Sequence, residues 1–87
     1  MNLFEEIVEL LYQMYINNEY TISVKKIRNR LTPGEIKKLS YEVNEVLQWL
    51  LKENYIYKIK KRSKGPNKYK ITEKIINNKD ELELFYK

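Results

Sequence analysis

Between Leu3 and Leu51 the apolar side chains recur every three or four residues. Between Tyr55 and Thr72 they recur at every second position, on either side of a Gly65-Pro66 pair. That change of period, from about 3.6 to 2, separates helices from a strand–turn–strand unit. It also constrains how the chain can pack. An isolated two-stranded hairpin is not stable in water, so one face of 55–72 must rest on the helices that precede it. The alternation predicts that Tyr57, Ile59, Tyr69 and Ile71 form this apolar face. Lys58, Lys60, Arg62, Lys68 and Lys70 then form the opposite, cationic one.

Upstream, Leu3, Phe4, Ile7, Val8, Leu11, Met14 and Tyr15 make one stripe, predicting an amphipathic helix over 3–15 that stops at Asn17-Asn18. Tyr20-Thr21-Ile22 is short and β-prone, and Ser23 suits the N-cap of a second short helix carrying Val24, Ile27 and Leu31. Thr32-Pro33-Gly34-Glu35 combines a capping box with proline at the first helical position. From there Ile36, Leu39, Val43, Val46, Leu47, Leu50 and Leu51 fall within an arc of roughly 140°. A third helix is therefore expected over 33–53, with a second start signal at Ser40 and an end at Asn54, a residue that accepts left-handed backbone. Ile75, Ile76, Leu82, Phe85 and Tyr86 predict one or two short helices broken around Asn77-Asn78. The expected class is α+β and mostly helical, one domain over 1–87 with a core at about 3–74 and a helical tail at 75–87.

Charge is distributed unevenly. Residues 1–20 carry −4, 21–40 carry +5, 41–54 carry −2, 55–74 carry +7 and 75–87 carry −1, within a net charge of +5. Seven of the eighteen residues in 55–72 are Lys or Arg and none is acidic. Two basic segments that meet in space form a patch suited to a polyanion. The same run also suits a solvated strand edge, where Lys discourages aggregation. Histidine and cysteine are both absent, which removes the commonest general base, metal ligand and thiolate nucleophile. The two glycines, Gly34 and Gly65, make no phosphate-cradling loop. Glu5-Glu6 with Glu9, and Asp80-Glu81 with Glu83, read as solvated helix faces rather than metal ligands. No enzymatic activity, metal or cofactor is expected. With acidic residues near its start and no apolar run of membrane-spanning length, the chain is expected in the cytoplasm and off the membrane.

The order helix, short strand, helix, helix, two-stranded hairpin, with LLKENYIYKI leading into KYKIT after a Gly-Pro loop, resembles the winged helix-turn-helix family over residues 3–74. Asn54 stands where many members have Gly. The resemblance implies that the helix over 33–53 enters the major groove of double-stranded DNA while the wing, 55–72, grips the backbone. It assigns Lys37, Lys38, Tyr41, Asn44, Glu45, Gln48 and Lys52 to the exposed face of that helix, with Asn44 and Gln48 able to pair with base edges, above all adenine, and Lys37 and Lys38 able to reach phosphate or guanine. Phosphate contacts fall to Lys58, Lys60, Lys61, Arg62, Lys64, Lys68 and Lys70, reinforced by Lys25, Lys26, Arg28 and Arg30. Six such contacts would give a log–log salt slope near about −5.

Glu42 and Glu45 run against sequence-specific readout, because they place negative charge on the helix that would enter the groove. Trp49 lies off the apolar stripe. It either packs under the wing or against the first helix, or forms with Tyr41 and Glu45 an interface for a protein partner. Three functions follow: a small transcriptional regulator; an accessory subunit docking on a replication or transcription complex through the Tyr41/Glu45/Trp49 face; or a sequence-neutral chromatin-like protein. Dimerisation is expected through the first helix and tail, at Leu3, Phe4, Leu82 and Phe85.

Overall fold

The computed structural model describes residues 2–31, 40–60 and 64–84. The chain is α+β and mostly helical, with one small antiparallel sheet. Its elements are α1 (Leu3–Ile16), β1 (Thr21–Ile22), α2 (Val24–Leu31), α3 (Ser40–Lys52), β2 (Ile56–Lys58), β3 (Tyr69–Ile71), α4 (Lys74–Asn77) and α5 (Lys79–Glu83). α3 is described from Ser40 onward, and the expected start of this helix at residue 33 lies outside the described residues. The capping box at Thr32–Glu35 and the residues Lys37 and Lys38 lie outside the described residues.

Local chemistry sets the helix ends. Asn2 Oδ1 accepts from the Glu5 amide at 2.8 Å, and Ser23 Oγ accepts from the Lys26 amide at 3.2 Å, so each side chain satisfies an otherwise orphaned donor. α1 and α3 end in the same way. Asn18 (φ 62°) and Asn54 (φ 65°) adopt left-handed backbone. The amides that follow reach back five residues, Glu19 to the Met14 carbonyl at 2.8 Å and Tyr55 to the Leu50 carbonyl at 2.9 Å. Both are Schellman motifs built on asparagine.

The hairpin then folds back onto the end of α3. Thr72 Oγ1 donates to the Asn54 carbonyl at 3.0 Å, and Lys74 Nζ donates to the Glu53 carbonyl at 2.7 Å while sitting 4.6 Å above the Tyr55 ring. A cation on the last carbonyls of a helix complements its dipole.

The strand order is β1-β3-β2, so the strand latest in sequence is central. Ile56 pairs with Ile71, Tyr57 with Lys70 and Lys58 with Tyr69, while Thr21 and Ile22 pair with Lys70 and Tyr69. Partners in an antiparallel ladder project to the same side. Ile22, Ile56, Tyr69 and Ile71 therefore turn inward, onto a core with Ile7, Val8, Leu11, Met14, Ile27, Val43, Leu47, Leu50, Ile75 and Leu82.

This register corrects the sequence reading of the first hairpin strand. Tyr57 shares the outer side with Lys70 and Thr21 and is 47% exposed. Alternation shows which residues share a face but not which face is inward. That choice was made one residue earlier, where the Schellman turn buries Tyr55 and delivers Ile56 against Ile71. The tail breaks at Asn78 as expected, but Leu82 is fully buried. It belongs to the core and is not available as a dimer surface, Leu3 and Phe4 pack partly against that core, and Phe85 lies outside the described residues.

Candidate nucleic-acid interface

The cationic hairpin positions separate by exposure and pairing. Lys58, Lys60, Lys64, Lys68 and Lys70 are all exposed, and among the described residues none makes an ion pair. Lys68 and Lys70 extend from the outer side of β3, Lys60 and Lys64 flank the loop, and Lys58, paired with Tyr69 on the edge strand, lies on Tyr69's side of the sheet rather than on the expected shared cationic face. Lys61 and Arg62 lie outside the described residues.

The basic residues of α2 are arranged differently. Arg30 Nη1 donates to Glu19 Oε2 at 2.8 Å and also contacts Oε1. Lys26 Nζ lies 3.5 Å from the same carboxylate and donates to the Thr21 carbonyl at 2.9 Å. The Arg30 hydrogen bond holds the Glu19 carboxyl below its ordinary range, against a partial desolvation that opposes it. Arg28 Nη1 donates to Ser40 Oγ at 2.8 Å, tying α2 to the start of α3. Lys25 is exposed and makes no ion pair among the described residues. Three of the four expected α2 cations are thus engaged within the chain.

On α3, Tyr41 is 63% exposed, Glu45 and Gln48 are exposed and Asn44 is half-buried. Gln48 Nε2 donates to Asn44 Oδ1 at 3.3 Å and to the Tyr69 hydroxyl at 3.1 Å. Tyr69 is itself 1% exposed and anchored in the sheet core. One buried phenol therefore connects the outward face of α3 to the strand that carries Lys68 and Lys70. Gln48 thus meets the inner side of this strand, whereas Lys68 and Lys70 leave its outer side.

Trp49 is half-buried. Its ring meets Phe4 edge-on at 5.1 Å between centroids and stacks on Tyr55 at 6.1 Å, so it bridges α1 to the end of α3. Phe4, Glu45, Val46 and Trp49 line a shallow open depression of about 360 Å³ on that side. Tyr41 does not line it. The expected Tyr41/Glu45/Trp49 face is thus a depression at Glu45 and Trp49 with the exposed Tyr41 ring one turn away, outside its lining.

Two participants escaped the sequence reading. Glu19 restrains α2 cations, and Tyr69 orients Gln48. Both act across the chain, and only the period-2 pattern of the hairpin hinted that Tyr69 is buried. No group of three or more acidic side chains close enough to hold a metal ion occurs among the described residues, and no helix among them is long and apolar enough to cross a membrane. Compared with protein-family models, curated proteins and solved structures, the chain has no match.

Proposed function

We propose that this chain is a small, non-enzymatic DNA-binding protein of the winged helix-turn-helix type, acting as a transcriptional regulator. The observation that carries the reading is the contrast in pairing. Three of the four α2 cations are engaged by internal partners, two of them sharing one carboxylate, whereas five hairpin lysines stand exposed without counter-charge. In this reading α3 presents Asn44 and Gln48 to base edges in the major groove. The hairpin lysines and Lys25 lie on phosphates. Internal engagement of Lys26, Arg28 and Arg30 makes them a positioning frame rather than primary phosphate ligands.

Fluorescence anisotropy on a 30-base-pair duplex across salt concentrations tests it. The five hairpin lysines and Lys25 displacing counterions give a log–log slope of about −5. Absence of duplex binding at low salt sinks the reading.

A second reading is favoured by the depression at Phe4, Glu45, Val46 and Trp49 and by the exposed ring of Tyr41. Here the domain is an accessory subunit of a replication or transcription complex, with a protein seated on α1 and α3. Because Trp49 supports the fold through Phe4 and Tyr55, the discriminating variants are the exposed Tyr41→Ala and Glu45→Ala. Loss of a co-purifying partner with unchanged duplex affinity supports the accessory role, and loss of duplex affinity alone opposes it.

A further inference from the structure

Almost every aromatic ring of the described residues is buried or has a partner. Tyr15 meets Tyr20, Trp49 meets Phe4 and Tyr55, Tyr12 lies under Lys79, and Tyr69 is in the core. Tyr41 and Tyr57 are the exceptions, both exposed and both without a ring or cation contact among the described residues. Their surroundings differ. Tyr41 shares its helix face with Glu45, whereas Tyr57 stands in a cross-strand row with Lys70 and Thr21, and Lys68 lies two residues along the ladder from that row. Ile59, whose amide donates to the Lys68 carbonyl at 2.9 Å, follows Tyr57 on the same side.

This outer sheet face therefore combines an exposed aromatic ring with two lysines spaced about 7 Å apart along the neighbouring strand. An intact duplex offers such a surface its phosphates but hides the faces of its bases. An unpaired nucleotide offers both. A ring flanked by cations matches the two requirements of single-strand binding, a π-face for the base and positive charge for the backbone.

We propose that the outer face of the sheet is a stacking platform for single-stranded nucleic acid, with Tyr57 under a base and Lys68 and Lys70 on the adjoining phosphates. The proposal rests on the hairpin being a nucleic-acid surface but not on duplex recognition by α3. It needs no movement of the core, since all three side chains already face solvent.

The test uses the full chain and three fluorescent fifteen-nucleotide probes: oligo(dT), oligo(U), and an abasic oligomer with the same phosphates and no bases. The 30-base-pair duplex runs in parallel at the same salt. Wild-type protein is expected to bind oligo(dT) or oligo(U) more tightly than the abasic strand. Preference between the first two identifies DNA or RNA as the strand. Tyr57→Ala should weaken binding to the preferred strand about tenfold and bring it level with the abasic probe. Tyr57→Phe should retain wild-type affinity, and the far-ultraviolet spectrum of each variant checks that it is folded. Duplex affinity of Tyr57→Ala should change by less than about twofold, because no charge is removed.

Equal binding of wild type to the abasic and base-bearing strands overturns the platform. So does an equal loss on duplex and single strand in Tyr57→Ala. Single-strand binding without duplex binding leaves this inference standing and removes the duplex reading. Duplex binding without single-strand binding does the reverse.

Discussion

The side-chain amide of Gln48 donates to the Tyr69 hydroxyl across 3.1 Å, joining the exposed face of α3 to the central strand of the sheet. A buried ring thus fixes the orientation of a solvent-facing amide. The same nitrogen also donates to Asn44 Oδ1, so the two amides are held relative to each other.

Tyr69→Phe keeps the ring in the core and removes the acceptor. Stability is expected to fall by about 0.5–1.5 kcal/mol, read as a lower urea midpoint with an unchanged slope. Duplex affinity should fall with it at constant salt dependence, since Gln48 loses its orientation and no charge changes.

Glu19→Gln releases Lys26 and Arg30 from their shared carboxylate. Duplex binding should tighten and its salt slope steepen by up to about two units. The variant also tests a pH effect. A carboxylate held below its ordinary value of 4.5 contributes stability that is fully present above that value and lost as pH falls through the depressed one. Wild type should therefore melt above Glu19→Gln at neutral pH, and the gap should close as pH drops below 4.5 and through the depressed value.

Replacing Lys58, Lys64 or Lys68 singly by Gln should shallow the duplex salt slope by about 0.9 each and leave the melting temperature nearly unchanged. Lys74→Gln is the opposite case. Its ammonium caps α3 and covers the Tyr55 ring, so stability falls while the slope holds.

Asn54→Gly should match or exceed wild-type stability, whereas Asn54→Val should lose about 1–2 kcal/mol, because a β-branched side chain resists φ near 65°. Chemical denaturation of both variants checks it. Asn18, at φ 62°, should behave in parallel.

What could be read in advance was what neighbours along the chain decide. The stripe of α1, the cap at Ser23, the left-handed Asn54 and the break at Asn78 all follow from side chains a few residues apart. The face of the first hairpin strand did not, because Tyr57 and Ile59 alternate identically whether they point in or out. It was settled by Ile56 meeting Ile71 across the sheet. Pairing of the α2 cations was equally hidden. Nothing in the composition of 24–31 signals that Arg30 turns back to a glutamate before β1, and a count of basic residues therefore overstates the free charge. Gln48 was legible as an outward amide, but its tie to Tyr69 depends on a contact between distant parts of the chain.

The position of β3 sets the order in which this molecule can form. β1 and β2 are not bonded to each other in the sheet, and each pairs only with β3. A nascent chain that has emerged only as far as the hairpin loop has helices and two unpaired edges but no sheet. Closure requires Tyr69, Lys70 and Ile71, which pair with Thr21 and Ile22 on one side and with residues 56–58 on the other. Joining β1 to β3 closes a much longer loop than the hairpin does, which makes it the entropically costlier of the two pairings. Lys70 takes its place on the outer sheet face only with these pairings, so that part of the cationic surface is ordered no earlier than the sheet itself.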